Sequence, residues 1–214
     1  MTTADIHNIL GIDEYFKAPS ALMNILLNKE LRIDMFKKFL KIETDLSYDW
    51  FHYYFMSEQA DRTEKKQDFT PDSLCDLVSQ LTGNFQMCHE LAAGTGGIII
   101  RKWNNEIKKV FPWLYDPSSI FFHLEELSDR AIPFLLFNLS IRGINASVIH
   151  GDTLERNAKG VFFVYNVNNS PIGFSDINIL PYSEDVMNYF NIHQWTDNMY
   201  SQHIESDFNN NFYK

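Results

Sequence analysis

The sequence predicts an α/β domain built on a parallel sheet and preceded by a helical region, and three observations predict it. Between about residues 69 and 165, short apolar runs alternate with segments of helical spacing, the pattern of strand–helix–strand units with right-handed crossovers. A glycine-rich turn, Gly94-Thr95-Gly96-Gly97, stands between one such run and one such segment. Residues 1–66 carry apolar residues at helical intervals without that alternation, so they read as helices alone.

In the helical region the apolar positions are Leu22, Ile25 and Leu26, then Leu31, Met35, Phe36, Phe39 and Leu40, with Lys37, Lys38 and Lys41 on or near the opposite face. The segment from Tyr48 to Phe55 is dense in aromatic residues. Two or three helices packed on the main domain satisfy this pattern, because an apolar stripe must be buried; a docking surface for a partner is the other reading. The polar stretch Asp61 to Asp68 places the boundary between a helical region, 1–66, and an α/β domain, 67–214.

Thr70 is placed to N-cap a helix starting at Pro71, with Asp72 in its first turn, and Thr82-Gly83-Asn84 stops it. Phe85 to His89 reads as the first strand. Beyond the glycine turn, Ile98 onward forms a helix towards Lys108-Lys109, broken by Pro112 and Asp116-Pro117. Ser119 to Glu125 is a second strand. Ser128 to Ile141 is a helix with an apolar face at Ile132, Leu135, Leu136 and Leu139. Ala146 to His150 is a third strand, Val161 to Tyr165 a fourth, and Asp176 to Leu180 a further candidate. A helix follows around Glu184 to Tyr189, and a polar, aromatic terminal stretch reads as loosely held.

Composition narrows the function. Hydrophobic content is 45% and charged content 21%, as in ordinary globular domains. A membrane span needs about 18 uncharged apolar residues in a row, and a signal peptide needs basic and apolar N-terminal regions; neither is read here. Cys75 and Cys88 make no metal spacing and read as reduced core residues, so a cytoplasmic protein is expected. The net charge of −10 argues against a general nucleic-acid binder, whose affinity comes from neutralising phosphates. DNA association by the chain alone is therefore expected to be weak, with a protein partner or homo-oligomer supplying any firmer grip.

Three predicted strand ends carry acids: Glu90, then Glu125-Glu126, then Asp152. In a parallel sheet these ends lie side by side, where open α/β sheets bind ligands. A carboxylate after the second strand accepts from ribose hydroxyls, and one after the third accepts from an exocyclic purine amine. Glu90 beside the glycine turn suits a positive group and does not suit a phosphate. A ligand with a ribose, a purine amine and a cationic amino-acid end meets all three: S-adenosylmethionine. A bare glycine turn also occurs as a plain connection, and a nicotinamide fold is disfavoured because Gly-x-Gly-x-x-Gly spacing is absent.

The chain resembles the S-adenosylmethionine-dependent N6-adenine DNA methyltransferases, in particular the modification subunits of type I restriction-modification systems. The resemblance runs from Phe69 to about Leu154. Phe69-Thr70-Pro71 resembles the aromatic-Thr-Pro motif that contacts the methionine end of the cofactor. Glu90-Leu91-Ala92-Ala93-Gly94-Thr95-Gly96-Gly97 resembles Asp-Pro-Ala-x-Gly-Ser/Thr-Gly-Gly. Glu126-Leu127-Ser128 resembles the second-strand acid motif, and Asn138 to Ile144 with Gly151-Asp152-Thr153-Leu154 resembles the helix and third-strand motif. The resemblance implies a Rossmann-like methyltransferase domain that binds S-adenosylmethionine or S-adenosylhomocysteine through Phe69, Thr70, Pro71, Glu90, Ala92, Gly94, Thr95, Gly96, Gly97, Glu126, Leu127, Asp152 and Thr153. No metal is implied.

The departures lie at two places. Glu90 and Leu91 stand where the family has Asp and Pro. The fourth strand is followed by Asn166-Val167-Asn168-Asn169-Ser170-Pro171, not by Asn/Asp-Pro-Pro-aromatic, whose side chains orient the target amine and stack on the flipped base. Asn166 is the candidate for the polar catalytic position, and the domain reads as incomplete at its C-terminal end. Two functions stay open: adenine methylation in a restriction-modification setting, or a catalytically inactive relative that binds cofactor and acts through a protein partner.

Overall fold

The computed structural model describes residues 1–58, 70–81 and 87–207, so Phe69 and the expected boundary near residue 66 lie outside the described residues. Among the described residues the chain opens with the helices α1 (Thr3–Leu10), α2 (Ala18–Leu26), α3 (Lys29–Leu40) and α4 (His52–Glu58). The α/β part follows as α5 (Asp72–Leu81), β1 (Met87–Leu91), α6 (Gly97–Ile107), β2 (Phe121–Glu126), α7 (Ile132–Ile141), β3 (Ala146–Asp152), β4 (Asn157–Tyr165), β5 (Asp176–Ile179), α8 (Glu184–Phe190) and β6 (Gln194–Trp195). Among the described residues no helix is long and apolar enough to cross a membrane.

The sheet runs in the order β1-β2-β3-β4-β5, with β6 pairing β4. β1, β2 and β3 are parallel neighbours. Because the chain steps twice in the same direction through right-handed crossovers, α6 and α7 fall on one face. Ile99 and Trp103 of α6 and the apolar residues of α7 share one core with Phe122, Leu124, Ala146 and Val148 of the sheet. The other face packs Ile149, Val161 and Phe163 against Val186 and Phe190 of α8.

The fourth strand differs from expectation. β4 runs antiparallel to β3, with Ala146 opposite Val164 and Asp152 opposite Asn157. The reason is connection length. Only Thr153 to Arg156 separate the two strands, whereas a parallel crossover needs a dozen or more residues. Asp152 builds the hairpin turn: its Oδ1 accepts from Leu154 N at 2.8 Å and Glu155 N at 3.0 Å. β5 in turn is antiparallel to β4, so the sheet is mixed.

α7 was expected to be amphipathic, yet every residue from Ile132 to Ile141 is buried, as in a helix covered on all sides. Its outer side is covered by the N-terminal helices. Phe137 packs against Phe36, Phe39, Trp50 and Phe51, with ring centroids 4.8–6.2 Å apart. The N-terminal helices and the sheet therefore belong to one continuous core. Arg32 of α3, 1% exposed, reinforces the join: its guanidinium lies 2.5 Å from Glu205 and 3.7 Å from Asp176, and Lys29 lies 2.7 Å from Asp176.

Residues 191–207 are held more firmly than the sequence suggested. Tyr200 is buried against Phe162 and hydrogen-bonds His150 at 2.8 Å. Ile179 N donates to His203 O at 2.7 Å.

Candidate functional site

The cleft of interest opens at the carboxyl ends of β1, β2 and β3. It has a volume of about 390 Å³, within the range of small-molecule sites. Ten of the thirteen residues expected to bind cofactor line it: Thr70, Glu90, Ala92, Gly94, Thr95, Gly97, Glu126, Leu127, Asp152 and Thr153. Pro71 and Gly96 do not line it.

The turn between β1 and α6 is shaped by three left-handed residues, Ala92 (φ 64°), Gly94 (φ 58°) and Gly96 (φ 94°). The first is unusual for a residue with a Cβ and stores strain of about 1–3 kcal/mol at the cleft floor. Gly96 has a role in the fold. It N-caps α6, and a Cβ there would meet Leu135 Cδ1 at 3.0 Å. Gly96→Val should therefore lower stability by roughly 2–4 kcal/mol through backbone strain and overpacking. A urea titration checks this: a midpoint equal to wild type would show that the position tolerates a side chain.

The three acids occupy different states. Glu126 is buried and already engaged, accepting from Gly94 N at 2.6 Å and Ser128 N at 2.8 Å. It holds the glycine turn to the end of β2, and its remaining lone pairs are those available to a ligand. Its neighbour Glu125 takes the opposite face, accepting from Arg156 Nη1 at 2.9 and 2.8 Å and lying 3.2 Å from His89 Nε2. Burial pushes the Glu125 carboxyl up, but Arg156 and its other hydrogen-bond partners outweigh this and hold it below the usual range.

Glu90 is the acid left open. Its Oε2 is buried without a hydrogen-bond partner. Burial, with the nearby Glu126 charge adding to it, pushes its carboxyl up to about 8. Leaving a buried polar atom unpaired costs about 1–3 kcal/mol. An ammonium or other donor in the cleft removes that penalty and supplies a countercharge.

The structure does not bring Asn166 to this cleft. Because β4 is antiparallel, Asn166 follows the strand end that lies beside Ala146, the start of β3. It is 2% exposed and fully committed to the backbone there. Its Nδ2 donates to Gly143 O at 3.2 Å and Ser170 O at 2.8 Å, and its Oδ1 accepts from Ser170 N. Asn166, the candidate for the polar catalytic position, shapes a loop away from the glycine turn.

Two contributions were missed by sequence reasoning. His52 and Phe55 of α4 line the cleft, so the N-terminal region forms part of its wall. Asp49, 5% exposed, accepts from Thr95 Oγ1 at 2.5 Å and from Asn138 Nδ2 at 2.8 Å. The aromatic run from Tyr48 to Phe55 was the only signal near these residues.

Among the described residues, no group of three or more His, Cys, Asp or Glu is arranged to hold a metal ion. No family model, no curated protein and no solved structure matches the chain.

Proposed function

We propose that the cleft binds S-adenosylmethionine or S-adenosylhomocysteine in the manner of the N6-adenine DNA methyltransferases that the sequence resembles. The observation that carries this reading is the unpartnered, buried Glu90 Oε2 in a cleft whose lining includes Glu90, Glu126 and Asp152 and, among the described residues, no Lys or Arg. Such a lining repels phosphorylated nucleotides and favours a nucleoside carrying a cationic tail. Glu90 meets the amino group, Glu126 the ribose, and Asp152 lies where the adenine amine is read. Bound S-adenosylmethionine supplies an electrophilic methyl group on its sulfonium.

A second reading keeps the cofactor and drops the chemistry. The burial of Asn166 beside the amino end of β3, at the opposite end of the strands from the cleft, favours it, since target amines need acceptors placed against the methyl donor. On this reading the chain is a methyltransferase-like protein that binds cofactor and acts through a protein partner. Calorimetric titration with S-adenosylmethionine, followed by a methyl-transfer assay on adenine-containing duplex DNA, separates the two. The expected result is binding without transfer. Transfer to adenine would establish the enzyme, and failure to bind either form of the cofactor would remove both readings.

A further inference from the structure

We propose that Asp49 is a positioning residue for the cofactor cleft, clamping the glycine turn from the N-terminal helices and making that region part of the binding site. The proposal rests on the cofactor reading for its ligand but on independent geometry for its mechanism.

Thr95, in the middle of the turn, is held twice. Its hydroxyl donates to Asp49 Oδ2, and its carbonyl accepts from Asn138 Nδ2 at 2.8 Å. The same Asn138 amide also donates to Asp49 Oδ1, so turn, α7 and the segment before α4 close into one network. Asp49 is fixed in turn by accepting from Phe51 N at 2.9 Å. Arg142 ties the segment down on the α7 side. It donates to Leu46 O and Tyr48 O at 2.9 and 2.6 Å, and to Asn138 Oδ1 at 2.8 Å. Arg142 itself is wholly buried, and its ordinary value is pushed down to about 10 by burial, partly opposed by the Asp49 charge.

Asp49 does not line the cleft, whereas Thr95, His52 and Phe55 do. Its reach to the ligand is therefore indirect, through a turn that is tied to β2 on its other side by Ala93 N donating to Glu125 O at 2.9 Å and by Glu126 accepting from Gly94 N. A satisfied buried network specifies one arrangement of the groups it joins. Removing the carboxylate frees the Thr95 hydroxyl and lets the turn and the α4 wall move independently.

The test uses the full chain and S-adenosylhomocysteine as the probe. In Asp49→Ala, affinity is expected to fall by about tenfold or more. Asp49→Asn keeps the Oδ1 acceptor and places an amide donor where Oδ2 accepted, with the Thr95 hydroxyl now accepting, and should stay within about threefold of wild type. A purely structural role would lower the thermal midpoint of Asp49→Ala without this split in affinity. If Asp49→Ala does not fold, Thr95→Val breaks the same bond from the other side, with Thr95→Ser as its conservative control. Amide hydrogen exchange across Gly94 to Ile98 in the ligand-free protein reads the clamp directly: faster exchange is expected in Asp49→Ala or Thr95→Val. Unchanged exchange, or wild-type affinity in a folded Asp49→Ala, overturns the proposal. Should wild type bind no S-adenosylhomocysteine, the cofactor reading fails while the exchange result still decides the clamp.

Discussion

Glu90→Gln is expected to stabilise the ligand-free protein and to abolish most of its cofactor affinity. The Glu90 carboxyl is raised from 4.5 to about 8 in the folded state. A raised folded value means that the unfolded chain ionises first. No penalty exists below pH 4.5; stability then falls as pH rises, and the loss is complete above about 8. Each unit is worth about 1.4 kcal/mol, so at pH 8 the burden is roughly 3–5 kcal/mol. Glutamine does not ionise and removes it. Thermal midpoints should rise by about 5–10 °C at pH 8 and change little at pH 4.5. The same substitution removes the countercharge for the ligand's amino group, and binding should weaken about a hundredfold. Wild-type affinity should increase with pH up to about 8, because Glu90 must release its proton to meet the ammonium; over the same range the variant's should be flat. A variant that is destabilised at pH 8, or that binds as wild type does, would show that Glu90 is not the open acid of the cleft.

Arg32→Met should produce the largest loss of stability. Arg32 is 1% exposed and lies against both Glu205 and Asp176, with a further hydrogen bond from its Nη1 to Leu26 O at 2.5 Å. Breaking one side of a buried ion pair costs about 3–5 kcal/mol, because the stranded charge stays buried. At the usual scaling for a chain of this size the thermal midpoint drops by about 10 °C. Burial pushes the Glu205 carboxyl up, but Arg32 and His203 outweigh this and hold it below the usual range. That contribution is therefore present above pH 4.5 and lost as pH falls below it, so the gap between wild type and variant should narrow in acid. Adding Glu205→Leu to Arg32→Met should restore part of the stability, since no lone charge then remains there. Equal urea midpoints for wild type and Arg32→Met would contradict the ion-pair account.

Much of the fold follows from local signals, and the exceptions have physical causes. β1, β2, β3, α5, α6 and α7 fall within a few residues of the segments read from periodicity and breakers, and the strand-end acids Glu90, Glu126 and Asp152 do meet at one cleft. These placements depend on neighbours in sequence and on the handedness of crossovers, both of which a sequence carries. The direction of β4 was also written there, in the four residues from Thr153 to Arg156, but spacing between apolar runs hid it because β4 begins at Asn157, in a polar stretch. Asn166 was misplaced as a consequence. Asp49 was out of reach for a different reason: its partners Thr95 and Asn138 lie 46 and 89 residues away, and no periodicity encodes such a contact. Glu126's engagement with Gly94 N and Ser128 N was likewise invisible, since motif reasoning assigns a carboxylate to a ligand without counting the backbone donors around it.

The Arg32–Glu205 pair joins residues 173 positions apart. During synthesis, at about 5–20 residues per second, α3 waits on the order of ten seconds or more before its buried guanidinium has a partner. For the first part of that interval the apolar faces of α2 and α3 lack α7, and through all of it Arg32 lacks Glu205. Contacts of such separation also slow refolding, because the intervening chain must be closed before they form. α3 is thus among the last elements to reach its final environment, and refolding should be slow relative to small helical domains.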